Sequence, residues 1–225
     1  MKKEMMVEIL KDVQKNGVTM NNCLELEKMI ADLQNEIRTA NNKKCGGLSI
    51  EKIAKNIIRD AKKLPKEYFH GAWVYEGFQY VCDGFRALCI KNQLDLEPVP
   101  EKHYNASTSN ALKNLFAEPA ETERFQLPTV ADLKSMIAEQ KAAAKIQHVK
   151  DPRIAYFTGG PAINAQYLLD AITATGATEL RTTCGRNGKW INPCFLSSDD
   201  CTALVLPVNA KSDLAAPGTC SIVNK

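Results

Sequence analysis

The chain has 225 residues, 44% of them hydrophobic, and a formal net charge of +3. That length allows one large domain or a domain with an extension, and that apolar content excludes wholesale disorder. So small a charge excludes a strongly basic nucleic-acid coat, while leaving room for a local basic face.

The opening residues, Met1-Lys2-Lys3-Glu4-Met5-Met6, carry charges where a signal peptide needs an unbroken apolar stretch, and no run reaches transmembrane length. The sequence therefore reads as a cytosolic protein. Two helices are predicted over residues 3–15 and 23–40, parted at Gly17. In the second, Leu24, Leu26, Met29, Ile30, Leu33 and Ile37 form an apolar stripe. Residues 41–47, Asn-Asn-Lys-Lys-Cys-Gly-Gly, follow as a hinge. Residues 1–47 are thus expected to be a helical hairpin, either an interaction arm or a hairpin packed on its own domain.

Ser49 is placed to cap a helix running to about Lys63, with Glu51 in the first turn where the helix dipole favours it. Ile50, Ile53, Ile57 and Ala61 share one face. Lys52, Lys55, Arg59 and Lys62 share the opposite one. Pro65 ends the helix. Strands are predicted at Ala72–Tyr75 and Phe78–Cys82 around a tight Glu76-Gly77 turn, and a third at Phe85–Ile90 after Asp83-Gly84. Residues 91–128, with Pro98, Pro100, Pro119 and Pro128, read as an irregular connection. A helix starts at Thr129, with Asp132 as its capping partner, and runs to about His148. Arg153–Phe157 is a strand.

Next comes the stretch Pro161 to Gly176. Asn164 is a good N-cap, Leu168, Leu169 and Ile172 fall on one helical face, and Gly176 is suited to the left-handed stop. Strands are expected at Glu179–Cys184, Ile191–Leu196 and Ala203–Val208, with a turn at Gly185–Gly188. The polar tail 211–225 is expected to be loose. A helix followed by strands thus occurs twice, at 49–90 and at 164–208, and the class is α+β.

Little in the chain suggests catalysis. There is no Walker A loop, Gly-x-Gly-x-x-Gly, Gly-x-Ser-x-Gly or His-Glu-x-x-His. Thr158-Gly159-Gly160-Pro161 lacks the Lys-Ser/Thr of a phosphate loop and reads as a turn. Asp199-Asp200 reads as a solvated hairpin carboxylate pair. Cys82 beside Asp83 has no histidine near it in sequence and reads as a packed thiol. Eight cysteines include no Cys-x-x-Cys, and three histidines lie far apart, so zinc has no spacing to rest on. Free thiols in a reducing compartment are expected. No cofactor and no metal are implied.

Several of these words resemble the bacterial DNA-polymerase sliding clamp family. Asn164, Tyr167, Leu168, Leu169 and Asp170 match its Asn-x-x-Tyr-Leu-Leu-Asp helix. Leu206-Pro207-Val208 matches its closing Met-Pro-Met-Arg-like strand, with Asn209 where a basic residue is usual. Tyr68-Phe69-His70-Gly71 and Tyr80 to Ala87, including Asp83-Gly84-Phe85-Arg86, resemble its Tyr-Leu-Asn-Gly and Asp-Gly-His-Arg hairpin. The resemblance covers residues 49–90 and 153–209. It implies a DNA-clamp-like domain at 48–210, built of two helix-plus-antiparallel-strand halves, with a Pro-rich and helical insertion at about 91–150. Three clamp domains do not fit in this length, so a closed ring would need several copies.

The resemblance also implies two surfaces. Lys52, Lys55, Arg59 and Lys62 would face duplex DNA through its phosphates, blind to sequence; the alternative is a solvated outer face. The helix at 164–175 has no Lys or Arg to match them. Asp83, Gly84, Phe85 and Arg86, with Leu206, Pro207 and Val208, would form an apolar groove for linear motifs of replication proteins; the alternative is ordinary core strands. The expected function is a non-catalytic, clamp-like accessory protein of DNA replication that binds duplex DNA. The alternative is a protein–protein adaptor or decoy that reuses the fold without encircling DNA.

Overall fold

The computed structural model describes residues 50–103, 106–147, 154–185, 188–208 and 220–223, with scattered positions between 11 and 30. The chain divides into two compact units, Met1–Gly47 and Leu48–Lys225. In the first, positions 11–13, 15, 23, 26, 29 and 30 are helical, and Gly17 has a φ of 79°. The rest of the predicted hairpin lies outside the described residues.

The second unit is α+β. Helix α1 is Ile50–Ala61; Ser49, its predicted cap, lies outside the described residues. Its apolar face is buried as the periodicity requires, with Ile53, Ala54, Ile57, Ile58 and Ala61 in the core. A 3-10 turn at Glu67–Phe69 leads to strands β1 (Trp73–Tyr75), β2 (Phe78–Cys82) and β3 (Arg86–Ile90). Glu76 and Gly77 both have positive φ, 49° and 83°, and Tyr75 pairs with Phe78, as in a two-residue hairpin of the primed type.

Residues 91–128 are more regular than the composition suggests. They contain a 3-10 turn at Glu101–His103, helix α2 (Ala106–Leu115) and strand β4 (Glu123–Gln126). Prolines and a Ser/Asn-rich run mask the signal, but Leu112, Leu115 and Phe116 have i, i+3, i+4 spacing. Helix α3 is Val130–Gln147. Thr129 caps it: its Oγ1 accepts from Asp132 N at 3.1 Å and donates to Asp132 Oδ2 at 2.6 Å.

Strands β5 (Ile154–Phe157) and β6 (Ala162–Asn164) flank the Thr158-Gly159-Gly160 turn, which therefore opens a strand before it reaches a helix. Helix α4 is Ala165–Thr175. Asn164 Oδ1 accepts from Gln166 N and Tyr167 N, and Gly176 closes the helix at a φ of 66°. Strands β7 (Glu179–Thr182), β8 (Cys194–Ser197) and β9 (Cys201–Val205) complete a meander. β8 starts after Pro193, and β9 stops before Pro207, which lacks the N–H needed to continue.

The main sheet is antiparallel, in the order β1-β2-β3-β9-β8-β7-β4. The two meanders meet where β3 pairs β9, with Leu88 opposite Ala203. One face packs on α1, α3 and α4 through Val81, Leu88, Ile90, Leu180, Leu196, Ala203 and Val205. The other face, carrying Trp73, Tyr80, Cys82, Ala87, Phe195 and Leu204, is covered near β1–β3 by α2 and the Glu67–Phe69 turn. Burial on both faces explains why β2 and β3 show no polar alternation.

A second sheet, β10-β5-β6, uses Cys220–Val223 as β10. This corrects the expectation of a loose tail for residues 220–223; the rest of the tail lies outside the described residues. Ile222 and Val223 are β-branched and suit a strand, and all four residues pair with β5, from Cys220 opposite Phe157 to Val223 opposite Ile154.

Candidate groove and basic helix

The β2–β3 turn is built by one carboxylate. Asp83 Oδ1 accepts from the backbone N–H groups of Phe85 and Arg86, both at 2.9 Å, and Asp83 N donates to Arg86 O at 3.1 Å. Gly84 sits at a φ of 87°, a conformation that favours glycine. The turn throws Phe85 outward, 52% exposed, and turns Arg86 inward, 4% exposed.

Each nitrogen of the Arg86 guanidinium is engaged. Its Nε donates to Asp83 Oδ2 (2.9 Å), one Nη to Asp60 Oδ2 (2.8 Å) and the other Nη to Asp170 Oδ2. Its Cζ lies 4.4 Å from the Tyr167 ring centroid. One side chain thus ties α1, the β2–β3 turn and α4 together. Burial pushes the Asp170 carboxyl above its usual range, against the opposing pull of Arg86.

Beside this turn lies a cavity of about 350 Å3. Phe85 and Leu206 line it, with Leu206 N donating to Phe85 O at 2.8 Å. Cys82, Ala87 and Leu204 come from the sheet, Tyr68, Phe69 and Trp73 from the preceding turn and β1, and Leu112 and Leu115 from α2. Trp73 Nε1 is satisfied by Tyr68 O at 2.9 Å, and Arg86 is held by its carboxylates. The lining is therefore suited to apolar side chains. Burial pushes the Cys82 thiol up to about 11, which keeps it protonated and a poor nucleophile.

Of the predicted groove residues, Gly84, Phe85, Arg86 and Leu206 line this cavity. Asp83 is buried behind it as the turn's anchor. Pro207 and Val208 do not line it. After Pro207 the chain leaves the main sheet, and Val208 N donates to Ala162 O at 2.8 Å on the second sheet. Sequence reasoning missed Leu112 and Leu115, whose helical spacing was the available signal, and Asp60, whose pairing with Arg86 spans 26 residues and has no local signature.

Lys52, Lys55 and Arg59 lie exposed on α1, and Lys62 lies exposed just beyond its end. Carboxylates accompany several of them: Lys55 pairs Glu51 at 2.7 Å, Lys62 pairs Glu97 at 2.5 Å, and Arg59 Nε lies 3.9 Å from Asp60. Helix α4 is buried along most of its length. Among the described residues, no cluster of His, Cys, Asp or Glu could hold a metal ion, and no helix is long and apolar enough to cross a membrane.

No family model matches the chain, and no curated protein matches it. Among solved structures, the chain is similar to the DNA polymerase sliding clamp of Bacillus subtilis (10% identity, 72% of this chain and 63% of that one, TM-score 0.45). It is also similar to the DNA polymerase III beta subunits of Thermotoga maritima (8% identity, 70% and 64%, TM-score 0.43) and Borrelia burgdorferi (13% identity, 73% and 64%, TM-score 0.42). The chain spans less than two thirds of the length of each.

Proposed function

We propose that this protein is a non-catalytic, clamp-like accessory factor of DNA replication that works as a protein–protein adaptor. It takes a short apolar segment of a replication protein into the groove that Phe85 and Leu206 help to line. The observation that carries this reading is the groove itself. Gly84, Phe85 and Arg86 of one sequence word that resembles the clamp family, and Leu206 of another, line one apolar cavity within a single unit. The sets α1 with β1–β3 and α4 with β7–β9 would be the two halves of a clamp-type domain, and residues 1–47 a separate arm.

The groove suits anchoring rather than turnover: apolar walls, satisfied polar groups and a protonated thiol offer an incoming segment burial and no chemistry. Burying one Leu or Phe side chain there is worth about 1.5–3 kcal/mol, so two or three anchors would give a useful affinity. The test is a pull-down with the full chain, at high salt and after nuclease. A replication protein retained by the wild type and lost with Leu206→Glu supports the reading. Retention that the substitution leaves unchanged opposes it.

A second reading rests on the exposed row Lys52, Lys55, Arg59 and Lys62, which would contact the phosphates of duplex DNA. The neighbouring Glu51, Asp60 and Glu97 offset part of that charge, which is why we place it second. Exposed pairs of this kind hold by only about 0–1 kcal/mol, so the lysines can exchange partners for phosphate. Replacing all four cations with Glu should abolish DNA retention, with the thermal melt unchanged. DNA binding that falls steeply with salt and disappears in this variant would favour the second reading; retention by the variant would sink it.

A further inference from the structure

Helix α2 stands where a docked partner would. Its Leu112 is 6% exposed and packs with Trp73 and Tyr80 on the outer face of the first meander. The Phe116 ring, just beyond the helix, lies 5.7 Å from Tyr80, and Leu115 packs beside Leu204 and Leu206 at the groove. Large apolar side chains at i, i+3 and i+4 are therefore what this surface accepts. The polar ties are peripheral: Lys113 pairs Glu76 at 2.7 Å with both side chains about half exposed, and the Tyr75 hydroxyl reaches Asn110 at 3.4 Å.

The helix itself is weakly self-supporting. It has 10 residues, ASTSNALKNL, half of them Ser, Thr or Asn, residues with poor helix propensity. Isolated helices shorter than about 12–15 residues are marginal in water even with good formers. It ends on a bifurcated bond, Phe116 N being shared between Leu112 O at 3.3 Å and Lys113 O at 3.2 Å, as is common at helix termini. The helix holds its shape through three apolar anchors. Elements of this kind open locally well below the cost of global unfolding.

We propose that α2 is a displaceable strap. It fills in cis a surface that also accepts, in trans, a short amphipathic helix with large apolar residues at i, i+3 and i+4 and a cation at i+1, the places held by Leu112, Leu115, Phe116 and Lys113. The proposal rests on the groove being a docking site: with α2 in place a short apolar segment has only the cavity to enter, and the departure of α2 opens the rest of that face to a whole helix. The cation at i+1 answers Glu76 across the surface, and the apolar triplet answers Trp73, Tyr80 and the groove wall. A strap undocked roughly one part in ten of the time weakens an incoming helix about tenfold.

The probe is a labelled peptide of this chain's own residues 104–118, titrated against the full chain by fluorescence anisotropy. Leu112→Ser, Leu115→Ser and Phe116→Ser together release the strap. The released variant should bind the peptide at least about tenfold more tightly than the wild type, and adding Leu206→Glu should remove the gain. Equal binding to both proteins, or no binding to a released variant that keeps its cooperative melt, overturns the strap. Should the variant not fold, hydrogen exchange on the wild type decides. Amides of residues 112–117 should exchange at least about a hundredfold faster than those of β3 and β9; equal protection overturns the proposal. The peptide comes from the chain itself, so its binding does not depend on any replication partner. Failure here leaves the groove to be judged by partner capture alone.

Discussion

Arg86 is the residue on which the candidate site depends most, and its role is architectural. A single buried guanidinium faces Asp60, Asp83 and Asp170. Its fork geometry lets it serve three carboxylates at once, which an ammonium cannot copy. Arg86→Met should cost about 3–5 kcal/mol in urea unfolding, since it strands buried carboxylates. Arg86→Lys should cost less; a loss below about 1 kcal/mol for Arg86→Met would refute the hub. Asp170 adds a pH signature. Its carboxyl is raised in the fold, chiefly by burial. The folded chain thus holds that proton more tightly than the unfolded chain. The penalty for ionising Asp170 is absent below the unfolded range and grows as pH rises toward the folded value. Asp170→Asn lacks this penalty. Its stability relative to the wild type should therefore rise with pH across the acid range, measured by melts at stepped pH; a difference that stays flat or falls contradicts the assignment. The sequence pointed to Asp83, Arg86 and Asp170 as members of short words. It could not join Asp170 to the other two, because that contact crosses 84 residues of chain.

At the scale of elements, local chemistry was legible where it was strong. The α1 face, the Glu76-Gly77 turn, the Thr129 cap and the Asn164–Gly176 brackets are each set by residues within a few positions of one another. What escaped depends on distant surfaces. Strand β10 forms because β5 offers it an open edge, and α2 because an aromatic face waits for Leu112 and Phe116. Strand ends at Ile191 and Val208 shifted because Pro193 and Pro207 interrupt them. A close approach fixes where the 91–128 segment begins: Ala72 N donates to Glu97 O at 2.8 Å, Val99 N donates to Ala72 O at 3.1 Å, and a Cβ on Gly71 would lie 2.5 Å from the Pro98 and Val99 backbone. Backbone cannot rotate aside as a side chain can. Gly71→Ala should therefore destabilise by about 1–3 kcal/mol in a denaturant melt, as overpacking does, and should loosen α2. A neutral result would mean that the segment is free to shift.

For the whole molecule, the fold class was legible from the alternation of one helix and three strands, found twice. The site was legible in half. The turn at Gly84, Phe85 and Arg86 and the strand end at Leu206 do meet, but Pro207 sends Val208 to another sheet, and helix α2 supplies the wall that composition concealed. The cations are placed as periodicity requires, with Glu51 and Asp60 beside them on α1, yet the counter-charge of Lys62 on Glu97 comes from packing. This balance is what moves the account from encirclement toward docking. The decisive measurement is photo-cross-linking in cells with a benzophenone amino acid at Phe85, against the same group at the exposed Ile191. Docking at the groove predicts a discrete adduct with a replication protein at Phe85 that resists nuclease and vanishes with Leu206→Glu. No adduct, or the same adducts from Ile191, would contradict it.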